Sequence, residues 1–327
     1  MKGLFVSPSP HRGSEATTSR IMLMVIIALL PAAIAGCIFF GPRAAAVLAV
    51  CIVSSVVFEA LSRKVMKRTQ TISDLSAVVT GLLLGMNLPS TVPFYVAVIG
   101  SFIAIVIVKQ LFGGLGQNFA NPAIAARIVL MLSFAGQMSD WRAAFSYNDV
   151  DAVTSATPLA ANWLTYAENG VNYKMAPFTL SEMFLGTTGG CIGETCAAAL
   201  IIGGLFLVVT KVISISTPTA FIGSYALFTL IYTGSAVETV YGVLAGGLML
   251  GAFFMATDYA TTPVTVKGKI IFGVGCGLIT FIVRSFGAFP EGVSFSILLM
   301  NLLTPYIDKL TLTTPFGAKK PEKAAKN

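Results

Sequence analysis

Long apolar runs alternate with short polar breaks along the whole chain, and the rhythm predicts membrane-crossing helices rather than strands or a soluble core. A helix needs about 20 apolar residues to cross a bilayer, and fewer where it is broken and its ends meet protein. Segments fall at 21–40, 43–61, 74–88, 94–112 and 122–138, and after a polar interval at 191–210, 217–232, 238–257, 269–287 and 294–308. The predicted fold is an all-α polytopic membrane protein with about ten transmembrane helices. It divides into a cytoplasmic N-terminal segment (1–20), a first membrane repeat (21–138), an extracytoplasmic loop (139–190), a second membrane repeat (191–310) and a basic cytoplasmic tail (311–327).

The two halves resemble each other weakly at corresponding places. Gly81-Leu-Leu-Leu-Gly85 in the third segment matches Gly247-Leu-Met-Leu-Gly251 in the eighth, and Lys109-Gln-Leu-Phe-Gly113 after the fourth matches Arg284-Ser-Phe-Gly287 after the ninth. Five segments per half bring the second copy in from the opposite face, so the halves form two inverted five-helix repeats with broken helices. Asn87-Leu88-Pro89 ends the third segment, and Asp258 with Pro263 follows the eighth. Short segments interrupted at matching places point to a central site built by discontinuous helices. The stretch Gly113–Pro122 is another such break, and Pro122 at a first helical position leaves the next amides available for an anion or a flavin ring. Gly116, Asn118 and Asn121 are its candidate binding residues; a plain connecting loop is the alternative.

Composition agrees. The chain is 55% hydrophobic and 11% charged, with a mean hydropathy of +0.83, more apolar surface than a soluble fold can hide. Residues 1–19 are polar, with Lys2, His11, Arg12 and Glu15 where a signal peptide would carry its apolar stretch, so the first span doubles as the insertion signal. The net charge of +7 follows from topology rather than nucleic acid: sixteen Lys and Arg fall on the side shared by both termini and three on the other. Both termini are thus expected in the cytoplasm, with 139–190 outside, and the Lys319–Lys326 tail against anionic lipid. The five cysteines have no Cys-x-x-Cys spacing, and four lie in or beside apolar runs, where thiols pack as small hydrophobes. No metal site is expected.

Ionisable residues inside spans are functional by default. Glu59, Asp74, Glu194 and Asp258 lie in or at the ends of segments, at the water interface or on an ion path; Asp74 and Asp258, at the ends of the two broken helices, are the candidates for that path. Arg127 and Arg284 lie deeper, each available to neutralise a flavin, a phosphate or a carboxylate.

The polar interval holds Asp151-Ala-Val-Thr-Ser-Ala-Thr-Pro-Leu159. Thr157 has no histidine nearby, since His11 is the chain's only one. A hydrolytic triad is excluded, and no catalytic residue is assigned on this chain. A passive acceptor of a covalent group remains, with Ser155 and Ala156 small enough to admit a donor and Pro158 holding the exit extended; an ordinary turn has the same composition.

Asp151-Ala-Val-Thr154-Ser155-Ala156-Thr157 resembles the flavinylation motif Asp-x-x-(Ser/Thr)-Gly-Ala-Thr, whose last Thr carries FMN through a phosphoester bond; Ser155 stands in place of the Gly. With Ser73–Thr80, Gly113–Asn118, Asn121-Pro122-Ala123 and Phe254–Asp258, the chain from about 20 to 310 resembles the RnfD family, the D component of Rnf electron-transport complexes. The near neighbour is NqrB, the B component of the sodium-pumping NADH:quinone reductase, which has a longer N-terminal extension. The resemblance implies a flavin-carrying component in the bacterial inner membrane. Its complex transfers electrons between ferredoxin and NAD and couples this to sodium or proton translocation. It implies covalent FMN on Thr157, placed there by a flavin transferase that recognises Asp151, Thr154, Ser155 and Ala156, and a second flavin, riboflavin, held non-covalently. It also implies the A, B, C, E and G components of an Rnf complex as partners, among which ferredoxin and NAD find their sites. Without the motif, an inverted repeat alone fits a flavin-independent transporter or channel, and a plain structural anchor needs neither.

Overall fold

The computed structural model describes residues 17–148, 157–159, 178–287 and 291–312. Asp151, Thr154, Ser155 and Ala156, and the basic tail, lie outside the described residues. The described chain is helical: α1 (Thr18–Phe40), α2 (Pro42–Val65), α3 (Ser76–Met86), α4 (Phe94–Phe102), α5 (Pro122–Ser133), α6 (Leu180–Leu185), α7 (Ala197–Val209), α8 (Ser216–Thr233), α9 (Ala236–Leu244), α10 (Leu248–Leu250), α11 (Val266–Phe286) and α12 (Val293–Thr311). The α4 helix widens into a π-helical stretch at Ile103–Gln110, and α10 does so at Gly251–Met255. Each of the ten predicted segments contains one helix or one broken pair of helices.

Among the described residues three helices, α1, α2 and α11, are each long and apolar enough to cross a membrane alone. Between α9 and the α10 stretch the chain bends by 68°. The 11 residues of α3 reach only about 16 Å at 1.5 Å per residue, roughly half of a bilayer's apolar thickness. Beyond it the non-helical residues 87–90 remain buried, which membrane depth tolerates only where protein rather than lipid covers the backbone.

The partner covering that break comes from the second half. The predicted sixth segment begins at 191, but α7 starts only at Ala197, and residues 188–195 form a buried loop. Ile192 N donates to Leu88 O (3.1 Å) and Gly193 N to Met86 O (2.8 Å), so two interrupted stretches satisfy each other's backbone.

Glycine sets the helix spacing. On α11, a Cβ at Gly273 would lie 2.9 Å from Thr217 O, and one at Gly277 would lie 2.8 Å from Phe221 O. This four-residue spacing brings the α8 backbone against α11, the close approach that compensates for the absence of a hydrophobic drive between helices in lipid. A Gly277→Val change is expected to cost roughly 1–3 kcal/mol through overpacking, read as a lower midpoint of thermal unfolding in detergent; an unchanged midpoint would mean that the two helices separate freely.

Candidate functional site

Two polar networks sit at the two ends of α3. At its start, Asp74 Oδ1 accepts from Ser76 N (2.8 Å) and Ser76 Oγ (2.5 Å), fixing the first turn. Lys109, in the π-helical stretch, donates from Nζ to Ser76 Oγ (2.6 Å) and to Glu59 Oε2 (2.8 Å). Glu59 also accepts from Thr71 Oγ1 (2.9 Å) and Gln110 Nε2 (3.2 Å). Lys109 and Glu59 are 1% and 0% exposed, a paired and hydrogen-bonded burial, without which either charge would be very costly. Lys109, at the end of the fourth predicted segment, is thus committed to a buried ion pair.

A groove beside this network is lined by Lys109, Asn118, Asn121, Phe254, Asp258 and Tyr259, among others, and Gly116 lines its continuation with Asp258. The sequence candidates Gly116, Asn118, Asn121 and Asp258 thus meet. Asn118 Oδ1 is buried without a hydrogen-bond partner, whereas Asn121 is occupied: its Oδ1 accepts from Ala123 N (3.0 Å) and Ile124 N (3.5 Å), and its Nδ2 donates to Met255 O (3.3 Å). The amides after Pro122, expected to be open to an anion or flavin, are thus capped by the residue before it. Asp74 stands outside the groove's lining and is joined to it through Ser76 and Lys109. Asp258 Oδ2 accepts from Thr261 Oγ1 (3.3 Å).

At the far end of α3 the breaks of both halves converge on Arg127 of α5, 3% exposed. Its Nη1 donates to Asn87 Oδ1 (2.6 Å). Its Nη2 lies 2.8 Å from Glu194 Oε1, pairs with Glu291, and lies 3.5 Å from Cys191 Sγ. Cys191 Sγ in turn donates to Asn87 O (3.2 Å), and Glu291 Oε1 accepts from Gly247 N (2.9 Å) in the α9–α10 break. Glu194 is no interface residue at 7% exposure. Of the three partners open to Arg127 from sequence, carboxylates are in contact with it. Arg284 differs: it donates to Gly242 O (2.7 Å) and Ala245 O (3.1 Å) and stacks over Tyr225, closing the end of α9 as a basic side chain does. So the Lys109 and Arg284 stretches, alike in sequence, do different work.

Thr157 lies over the Arg127 cluster. It is half-buried and lines a pocket with Trp141, Thr188, Glu194, Thr195 and Glu291. Gly189, Gly190 and Gly246 also line it, beside the bulkier Leu159, Met183 and Leu244. Glu291 was absent from the sequence candidates, because it lies in the gap between the ninth and tenth segments and its partner is 164 residues away. Among the described residues no group of three His, Cys, Asp or Glu side chains is placed to hold a metal, and the described cysteines are free thiols.

Residues 5–317 match the NQR2, RnfD, RnfE family. The chain is 49% identical over 327 residues to the D component of the Na(+)-translocating ferredoxin:NAD(+) oxidoreductase complex of Acetobacterium woodii, covering 99% of this chain and 98% of that protein. It is 44% identical to the proton-translocating counterpart of Clostridium ljungdahlii, with 98% of each chain covered. To the D component of the ion-translocating oxidoreductase complex of Vibrio atlanticus it is 37% identical, over 96% of this chain and 99% of that one. With its polytopic helices, interrupted spans and near full-length similarity to these relatives, the chain belongs to the NQR2, RnfD, RnfE family.

Proposed function

We propose that this protein is the flavin-carrying membrane component of an ion-translocating ferredoxin:NAD oxidoreductase complex, with FMN joined covalently through its phosphate to Thr157. The observation that carries the reading is the placement of Thr157: a half-buried residue lining a pocket whose wall includes an aromatic ring, Trp141, on which a flavin can stack. The fit is chemical, since the threonine supplies the acceptor oxygen while the protein's own groups need only orient and enclose. Bound there, the flavin supplies one- and two-electron redox chemistry. Trp141 and the Thr188–Gly190 backbone would hold it, and the Arg127 cluster sets the charge beneath it. The transferase's recognition of Asp151, Thr154, Ser155 and Ala156 belongs to the same reading.

The groove beside Asp258 fits a second, non-covalent flavin such as riboflavin. Asn118 Oδ1, buried and unpartnered, is an acceptor for a ring N–H, and Gly116 leaves the mouth open, with nothing near the position of a Cβ. The A, B, C, E and G components of the complex are the partners, and ferredoxin and NAD bind among them. Both termini face the cytoplasm of the bacterial inner-membrane protein and Thr157 faces outside. A cysteine placed near Thr157 should react with an impermeant thiol reagent added to intact cells, and one placed near Lys320 should not; reversed labelling would overturn this orientation.

Asp258 and Asp74 are proposed as the inner mouth of the ion path, their carboxylate oxygens suited to a hard cation or a proton. Asp258→Asn is expected to leave the protein flavinylated and assembled but to slow turnover and raise the sodium concentration for half-saturation, read by sodium titration of ferredoxin-driven NAD reduction. An unchanged rate and half-saturation in Asp258→Asn and Asp74→Asn would remove both from the path. Flavin fluorescence of the denatured protein separates this function from a flavin-independent transporter, which needs no chromophore.

A further inference from the structure

We propose that Glu194 and Glu291, with the hydroxyl of Thr195, hold one exchangeable monovalent metal cation of sodium-ion size beneath Thr157. Three observations converge. First, the cluster places two carboxylates against the single guanidinium of Arg127, which leaves one negative charge uncompensated when both acids are ionised. Burying it unmatched is costly, and one unit of positive charge balances it.

Second, Thr195 is 5% exposed and its Oγ1 has no hydrogen-bond partner, although it lines the same pocket as Glu194 and Glu291. A buried hydroxyl without a partner costs free energy unless something meets it. Third, the two carboxylates crowd the same side of Gly247: a Cβ there would stand 2.4 Å from Glu291 Oε1 and 2.8 Å from Glu194 Oε1, so the two oxygens lie near enough to each other to share one ion. Gly247 has φ −78°, which any residue adopts, so its backbone does not call for glycine; the space does.

The ligand set decides the ion. All donors are hard oxygens, which disfavours soft transition metals, and a divalent ion would leave the cluster positive by one. The inference deepens the ion-translocating reading and rests on it for its purpose, since a cation under the flavin attachment point would feel the flavin's change of charge on reduction.

The test is equilibrium binding of radioactive sodium to the purified complex in detergent. Glu291→Gln is expected to bind one sodium fewer per complex than the wild type. Thr195→Val, nearly isosteric and removing a hydroxyl that holds nothing else, is expected to weaken that site about tenfold, the effect of losing one oxygen contact to a charged group. If Glu291→Gln fails to assemble, Thr195→Val carries the test alone. The Thr157→Ala complex should bind as much sodium as the wild type. Unchanged stoichiometry and affinity in the assembled variants, the result if a proton balances the charge, would overturn the proposal. Sodium loss in Glu291→Gln from a complex that proves to lack covalent flavin would sustain the cation site and sink the flavin assignment instead.

Discussion

Replacing Thr157 by Ala is expected to abolish covalent flavin while the protein still inserts and assembles. The substitution removes the acceptor oxygen and one methyl group from a side chain at the edge of a pocket, not from the helix contacts that build the fold. In-gel fluorescence under ultraviolet light should vanish from the protein's band with the polypeptide at its usual level. Thr154→Ala should retain part of the signal, because Thr154 serves recognition by the transferase rather than attachment. Retained fluorescence in Thr157→Ala would move the attachment elsewhere.

Arg127→Met should be the most damaging single change in the membrane region. The guanidinium is shared by Asn87, Glu194 and Glu291, which belong to three separate breaks in the helical framework. Its removal leaves two carboxylates buried without their counter-charge, and breaking a buried pair from one side typically costs about 3–5 kcal/mol. The expected result is a large loss of folded protein, measured as recovery after detergent extraction and as the unfolding midpoint. Arg127→Lys keeps the charge but not the planar fork, so it should fall between. Adding Glu291→Gln to Arg127→Met should recover part of the loss, since one charge then no longer needs a partner. A midpoint for Arg127→Met equal to the wild type would show that the cluster is solvated.

The sequence made the helices legible because lipid imposes a length and an apolar composition on each span, and both are local properties. The breaks were legible for a related reason: Asn87-Leu88-Pro89 and the Gly113–Pro122 stretch carry residues that end helices wherever they occur. The partners inside the breaks were not. Lys109 reads locally as a lysine closing a span, and only a Glu59 fifty residues away turns it into a buried ion pair. Glu291 reads as a loop acid, and its role depends on Arg127 and on the missing side chain at Gly247. The late start of α7 was hidden because Cys191 and Ile192 are as apolar as a helix would require. Their backbone is instead committed to residues 86–88. Asn121 shows the opposite limit: polar and well placed, it is occupied as a helix cap.

Attachment of the flavin to Thr157 is tested most directly by peptide mass mapping of the purified protein. Cleavage after Arg142 and Lys174 releases residues 143–174, which contain Thr157. This peptide is expected to carry the added mass of FMN minus one water, with fragmentation placing it on Thr157. An unmodified 143–174 peptide from an assembled, active complex would contradict the assignment.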